Sequence, residues 1–213
     1  MLRIFLVRHG QTTWNIEGRY QGQEDTPLSE LGLKQAQLLA EGLKNVHLDV
    51  CISSPLERSF KTCQYCAALH GLPVAQDPRL LEINHGDWEG VLSTDIEKRY
   101  PLEFAQWHSA PQLVTMPGGG ESLDDVRRRA RAAFDEYAAK YDGKNVLVAA
   151  HDAVNKAIIC DLMGLGMEHF WQIKQDNTCI NVLEHSEGNW RLVLLNSTCH
   201  MGFLISGIEQ AGL

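Results

Sequence analysis

Two histidines, two arginines and a glutamate in this sequence fall where apolar runs give way to turns, an arrangement that suits chemistry on a small anion. Leu2–Val7 is an almost continuous apolar run, followed at once by Arg8-His9-Gly10. Asn145–Ala150 is another, followed by His151-Asp152, and Asp49–Ser53 leads through Ser54-Pro55 to Arg58. Glu82 lies in the stretch Leu80–Gly86, which reads as a loop. In open α/β sheets, ligands bind outside the carboxyl ends of the strands, which is where these groups fall. Guanidiniums offer forked donors that a lysine cannot copy, and an imidazole adds a directional one. A carboxylic acid beside them can deliver a proton. The set describes a pocket for a dianion with an acid at its edge.

For these groups to meet, the runs before them must be neighbouring strands held by helices. Ser29 is placed to N-cap a helix to about Lys44, with Ala36, Leu39, Ala40 and Leu43 on one face. Leu56 to about Leu69 reads as a second helix, opened by Pro55 and closed by Gly71 and Pro73. Ser122-Leu123-Asp124-Asp125 has the form of a capping box and opens a long helix toward Tyr141. Ala153 to about Met163 reads as a helix ending at Gly164, and Cys179–His185 with Trp190–Asn196 as a hairpin. Pro101–Gly120, which ends in three glycines, reads as loop-rich. Strands alternating with helices predict an α/β fold, a three-layer α/β/α sandwich with a mostly parallel central sheet. Without a repeat or a linker, residues 1–213 are expected to form a single domain. Arg127, Arg128, Arg129 and Arg131 spread around more than half of their helix and are expected to be solvated.

Charge and composition exclude several classes of function. With 27 acidic and 19 basic side chains the net charge is −8, which argues against nucleic-acid or anionic-membrane partners. It leaves a locally basic pocket open. No apolar run approaches the roughly 18–20 residues that span a bilayer, and the apolar N-terminus is too short for a secretory signal. The six cysteines form no dense framework, so reduced thiols and a cytoplasmic location are expected. Cys63 and Cys66 form a lone C-x-x-C at helical spacing, which favours core packing over a metal or redox site.

Together these motifs resemble the histidine phosphatase superfamily, the group that includes cofactor-dependent phosphoglycerate mutase. The R-H-G signature is Arg8-His9-Gly10, continued by Gln11, Thr12, Trp14 and Asn15. Arg19-Tyr20-Gln21-Gly22, Asp25, Pro27-Leu28 and Gly32-x-x-Gln35-Ala36 fit the next block. Ser53-Ser54-Pro55-Leu56-x-Arg58, Leu81-Glu82, Gly86-x-Trp88-Glu89-Gly90 and Gly120-Glu121-Ser122 also fit, so the likeness covers about residues 3 to 200. It implies a phosphoglycerate mutase-like fold with His9 as the nucleophile that becomes a phosphohistidine. It makes Arg8, Arg58 and His151 the phosphate pocket, with Asn15 and Gln21 at its edge, and Glu82 the proton donor to the leaving oxygen. No metal and no cofactor are then expected, because phosphoryl transfer asks mainly for positioning and charge neutralisation, which fixed protein charges supply. The neighbouring cations should keep His9 neutral, and Glu82 should carry a raised pKa. Asp152 stands where many members carry glycine, and an acid there must point away or pair with an arginine. Trp14, Tyr20, Trp88 and Trp107 are as well suited to the core as to the pocket mouth, and for His85 a structural place is slightly favoured over substrate contact.

The mutases are typically longer, with an inserted stretch and a basic loop after the acid. Ile83-Asn84-His85-Gly86-Asp87-Trp88-Glu89-Gly90 and Leu195-Asn196-Ser197-Thr198-Cys199-His200 resemble the phosphatase branch instead. The expectation is therefore a metal-independent phosphomonoesterase acting on a small phosphorylated metabolite. The alternatives are a cofactor-dependent phosphoglycerate mutase, an α-ribazole-phosphate phosphatase, or a catalytically weak binding protein. The chain is compatible with a homodimer, and nothing in it assigns a role to Met201–Leu213.

Overall fold

Strand β1 (Leu2–Arg8) explains why the central sheet is covered on both faces. Leu2, Ile4 and Leu6 enter one apolar cluster, and Phe5 and Val7 enter another, as the two-residue period of a strand requires. The computed structural model describes residues 1–202, so all but the first two residues of the Met201–Leu213 segment lie outside the described residues. The strands that follow are β2 (Val50–Ser53), β3 (Val74–Gln76), β4 (Asn145–Ala150), β5 (Ile180–Ser186) and β6 (Asn189–Ser197). Their order in the sheet is β3-β2-β4-β1-β5-β6. The first four in that order are parallel, and β5 and β6 pair antiparallel with their neighbours.

After β1 comes a short helix, α1 (Thr13–Glu17), and then α2 (Glu30–Leu43) and α3 (Glu57–His70). The last two bury Leu39, Ala40, Cys63, Cys66 and Ala67 against Phe5, Val7, Leu147 and Ala149. Two helices, α4 (Ser93–Arg99) and α5 (Pro101–Ser109), form an insert before α6 (Leu123–Lys140) and α7 (Asp152–Leu162). α6 and α7 bury Ala133, Phe134, Ala157 and Ile158 against Leu2, Ile4, Leu6 and Val148. The result is the expected three-layer α/β/α sandwich. No helix among the described residues is long and apolar enough to cross a membrane.

The helix ends follow their capping residues. Ser29 accepts a hydrogen bond from the Gly32 amide at 3.0 Å, and Ser122 and Asp125 form a reciprocal capping box. α3 begins at Glu57 with Leu56 as its N-cap, so Pro55 lies outside it. Pro101–Gly120 is not loop throughout. Pro101 takes the first turn of α5, where a missing amide hydrogen leaves no bond unmade, and Trp107 anchors that helix in the core. β3 is only three residues long and too short for its pattern to show in the sequence.

The arginine run on α6 is not uniformly solvated. Arg128 pairs with Asp124 and Asp125 on the exposed side, and Arg127 and Arg131 both reach Asp161 of α7. Arg129 turns inward. Its Nη1 donates to the carbonyls of Leu81 (2.6 Å) and Arg79 (2.8 Å), and its Nη2 to that of Glu82 (3.0 Å). Its Nε donates to Glu121 at 2.8 Å. One planar side chain thus holds three carbonyls of the segment that leads to Glu82. Helical spacing places Arg129 three residues after Val126 and four before Ala133, on the buried stripe. Replacing Arg129 with alanine strands Glu121 and three carbonyls and should cost about 2–3 kcal/mol in urea-induced unfolding. Arg129→Lys should recover only part of that loss, since an ammonium lacks the fork that spans them.

Candidate active site

Parallel pairing sets the site. Arg8 lies opposite Ala150, and Ser53 opposite Ala149, so three chain turns leave one edge of the sheet side by side. The His9 amide continues the pairing to the Ala150 carbonyl at 3.1 Å, and the Ser54 amide to that of Ala149 at 3.0 Å. Gly10 and Gly32 let the turn after β1 lie on the start of α2. A Cβ on Gly10 would stand 2.5 Å from the Gly32 carbonyl oxygen, and one on Gly32 would stand 2.0 Å from that of Gln11.

His9 is 2% exposed, and its Nδ1 lies 2.7 Å from its neighbour's carbonyl oxygen on Gly10. That oxygen can only accept, so Nδ1 carries the proton and Nε2 keeps its lone pair. Burial, with the guanidiniums of Arg58 and Arg8 next, holds its pKa well below the usual imidazole range. The ring of His151 lies 5.1 Å away, centroid to centroid, and burial and Arg58 keep it neutral in the same way. His151 Nε2 meets the Ser54 hydroxyl at 2.8 Å. With that hydroxyl as donor, the His151 proton sits on Nδ1.

The guanidiniums are gripped from one side only. Arg58 donates through Nη1 to the Glu24 carbonyl (2.8 Å) and through Nη2 to that of Gly22 (2.6 Å). Burial lowers its pKa to about 10, which leaves it cationic at neutral pH. Arg8 donates through Nη1 to the Gln175 carbonyl at 2.5 Å, and the same nitrogen lies 3.2 Å from Asp152 Oδ1. Asn15 uses its Oδ1 to receive the Thr12 amide, closing the cap of α1. Among the described residues, four of the buried nitrogens without a hydrogen-bond partner belong to these side chains: Arg8 Nε, Arg58 Nε, His151 Nδ1 and Asn15 Nδ2. Interiors seldom leave such donors unmatched. Those of Arg8, Arg58 and His151, the residues whose charge or ring bears on His9, are donors suited to a multiply charged oxyanion.

Glu82 is 3% exposed and rests on the first turn of α7. Its carboxyl accepts from the amides of Ile83 (3.0 Å), Ala153 (3.2 Å) and Val154 (3.3 Å). Those bonds and Arg58 favour the carboxylate, but burial and then Asp152 outweigh them and raise the pKa. Gln21, expected at the edge of the pocket, is buried, with its Oε1 accepting from the hydroxyls of Thr12 and Thr26, both at 2.8 Å. That bond ties two loops together.

Tyr20, Trp88 and Trp107 belong to the core, while Trp14 is half-buried. His85 is fully buried and edge-on to Tyr20 at 4.9 Å, and burial takes its pKa down to about 3. Asp152, left open by the sequence, pairs with Arg8 and, at 2.7 Å, with Lys156. Lys156 and Gln175 carried no signal of their place beside the site. Lys156 lies one helical turn after Asp152 on α7, a spacing that would have paired them.

The chain resembles known proteins over most of its length. Residues 4–198 match the model of the histidine phosphatase superfamily, branch 1. Phosphoserine phosphatase 1 of Hydrogenobacter thermophilus is 39% identical over 202 residues, 95% of either chain. Among solved structures, Bacillus stearothermophilus YhfR superposes with a TM-score of 0.90 at 30% identity, covering 94% of this chain and 100% of its own. A mycobacterial glucosyl-3-phosphoglycerate phosphatase in complex with VO3 does so with a TM-score of 0.86 at 32% identity, covering 92% and 99%. The match spans nearly the whole chain, and the chain belongs to branch 1 of the histidine phosphatase superfamily.

Proposed function

We propose that this chain is a phosphomonoesterase, working as a single domain, that passes the phosphoryl group of a small phosphorylated metabolite to His9 and then to water. The observation that carries the reading is that Arg8, Arg58 and His151, which bear on an imidazole whose Nδ1 is already engaged, each keep a buried nitrogen without a partner, as Asn15 does. Those donors suit the equatorial oxygens of a phosphoryl group in flight. His9 Nε2 gives its lone pair to phosphorus, the bond to the ester oxygen breaks, and that oxygen takes the Glu82 proton. Water then attacks the phosphohistidine and loses a proton to the Glu82 carboxylate. The N–P bond breaks, phosphate leaves, and both side chains are restored. The fixed cations do the electrostatic work, so the reaction needs no metal. The name of the relative at 39% identity makes phosphoserine the first substrate to try.

His9→Ala should abolish turnover together with the acid-labile, alkali-stable label left by a radioactive phosphodonor. A label mapped to serine or cysteine would refute the nucleophile. Glu82→Gln should slow alkyl esters by about 10²–10⁴-fold, the usual range for a lost general acid, and p-nitrophenyl phosphate far less. Equal losses on both would make Glu82 a binding group.

The pH profile follows from the directions of the two shifts. His9 is lowered, so its active neutral form persists below the ordinary imidazole range. Glu82 is raised, so its active acid form persists above the ordinary carboxylate range and is lost as pH climbs through its pKa. kcat/KM for alkyl esters should therefore fall on the alkaline side, and Glu82→Gln should remove that limb.

Transfer to water rather than to a second acceptor is tested with 3-phosphoglycerate and a trace of 2,3-bisphosphoglycerate. Release of inorganic phosphate should exceed formation of 2-phosphoglycerate. Rapid interconversion with little free phosphate would show a mutase.

A further inference from the structure

Asp152 poses a physical problem: a carboxylate buried beside a phosphate cradle should repel the substrate. Its side chain is 3% exposed, with Oδ1 3.2 Å from Arg8 Nη1 and Oδ2 2.7 Å from Lys156 Nζ. The Lys156 side chain is 6% exposed, and its ammonium lies 4.9 Å from the ring centre of Phe170 and 4.7 Å from that of Trp171. Aromatic faces hold a cation in place without adding opposite charge. Trp171 is itself fixed, donating through Nε1 to the Trp107 carbonyl at 2.6 Å. Asp152 and Lys156 thus sum to zero charge, and the full positive charge of Arg8 is left to the site.

What the pair supplies is direction. Arg8 Nη1 is shared between Asp152 Oδ1 and the Gln175 carbonyl, while Nε has no partner. Two acceptors on one nitrogen restrict the planar guanidinium and leave its Nε for another acceptor. We propose that Asp152 is a positioning residue that clamps Arg8 for the transferred phosphoryl group, and that Lys156 is its charge-cancelling counterpart. This rests on the phosphatase reading above. Asp152 acts on the phosphoryl group through Arg8, separately from its charge effect on Glu82.

The test is a double-mutant cycle read as affinity for inorganic phosphate by calorimetry. Asp152→Asn alone would leave an unpaired ammonium in the interior and Lys156→Met alone an unbalanced carboxylate, so one leg of the cycle is the charge-conserving double variant Asp152→Asn/Lys156→Met and the other is Arg8→Ala. The double variant should weaken phosphate binding by about tenfold when Arg8 is present and by almost nothing when Arg8 is alanine, a coupling of the size seen for residues in contact. Equal losses with and without Arg8, or no loss in either, would overturn the clamp. Hydrolysis of p-nitrophenyl phosphate by the wild type is followed in parallel. Hydrolysis with an additive cycle sinks only the clamp, whereas absence of hydrolysis sinks the phosphatase reading beneath it.

Discussion

Keeping two guanidiniums out of water beside two imidazoles is the constraint around which this structure is arranged. Burying a cation costs several kcal/mol unless its donors are satisfied, and Arg8 and Arg58 are 2% and 1% exposed. The chain meets the cost with neutral acceptors, the carbonyls of Gly22, Glu24 and Gln175, and with one carboxylate that a lysine offsets. Carbonyl ligands leave the charge intact for an incoming anion. The histidines adjust to the same field by remaining unprotonated, which leaves a lone pair on one and a directed donor on the other. The segments between α1 and α2 and between α7 and β5 carry those carbonyls and set them against the guanidiniums.

Glu82 answers the opposite demand. It has to hold a proton at a site rich in amides and cations that favour its anion. Burial and the nearby Asp152 tip the balance, while Arg129 fixes the loop bend from behind. The acid therefore shares Asp152 and the start of α7 with the phosphate cradle, and adds a support of its own from α6.

Much of this was legible in the sequence because it follows short-range rules. Strand β4 reads directly from its unbroken apolar run, and α2 and α6 from Ser29 and the Ser122–Asp125 box. His9, His151, Arg8, Arg58 and Glu82 stood out through their position after apolar runs and through motif. The signals that failed were those that act across the chain. Whether Arg129 faces water depends on which side of α6 meets the loop at Leu81, and nothing near Arg129 records that. Asp152 and Lys156 become a pair with Arg8 only once β1 and β4 lie side by side. α5 was hidden for a different reason, since its proline sits in the one turn of a helix that tolerates it.

Helix α7 carries a consequence for how errors spread through the site. His151 is its N-cap, Asp152 its first residue, and the amides of Ala153 and Val154 seat Glu82. The helix is buried along Asp152–Cys160, so it has no free face on which to slide alone. A small displacement of α7 is therefore a common-mode error: anion ligand, arginine clamp and acid shift together, and their mutual spacing is preserved. Only a differential error against His9 would misalign the chemistry, and that is resisted by the β1–β4 pairing that joins the two. Precision here is a property of two rigid bodies and one joint, so substitutions elsewhere in the core can accumulate while the alignment persists.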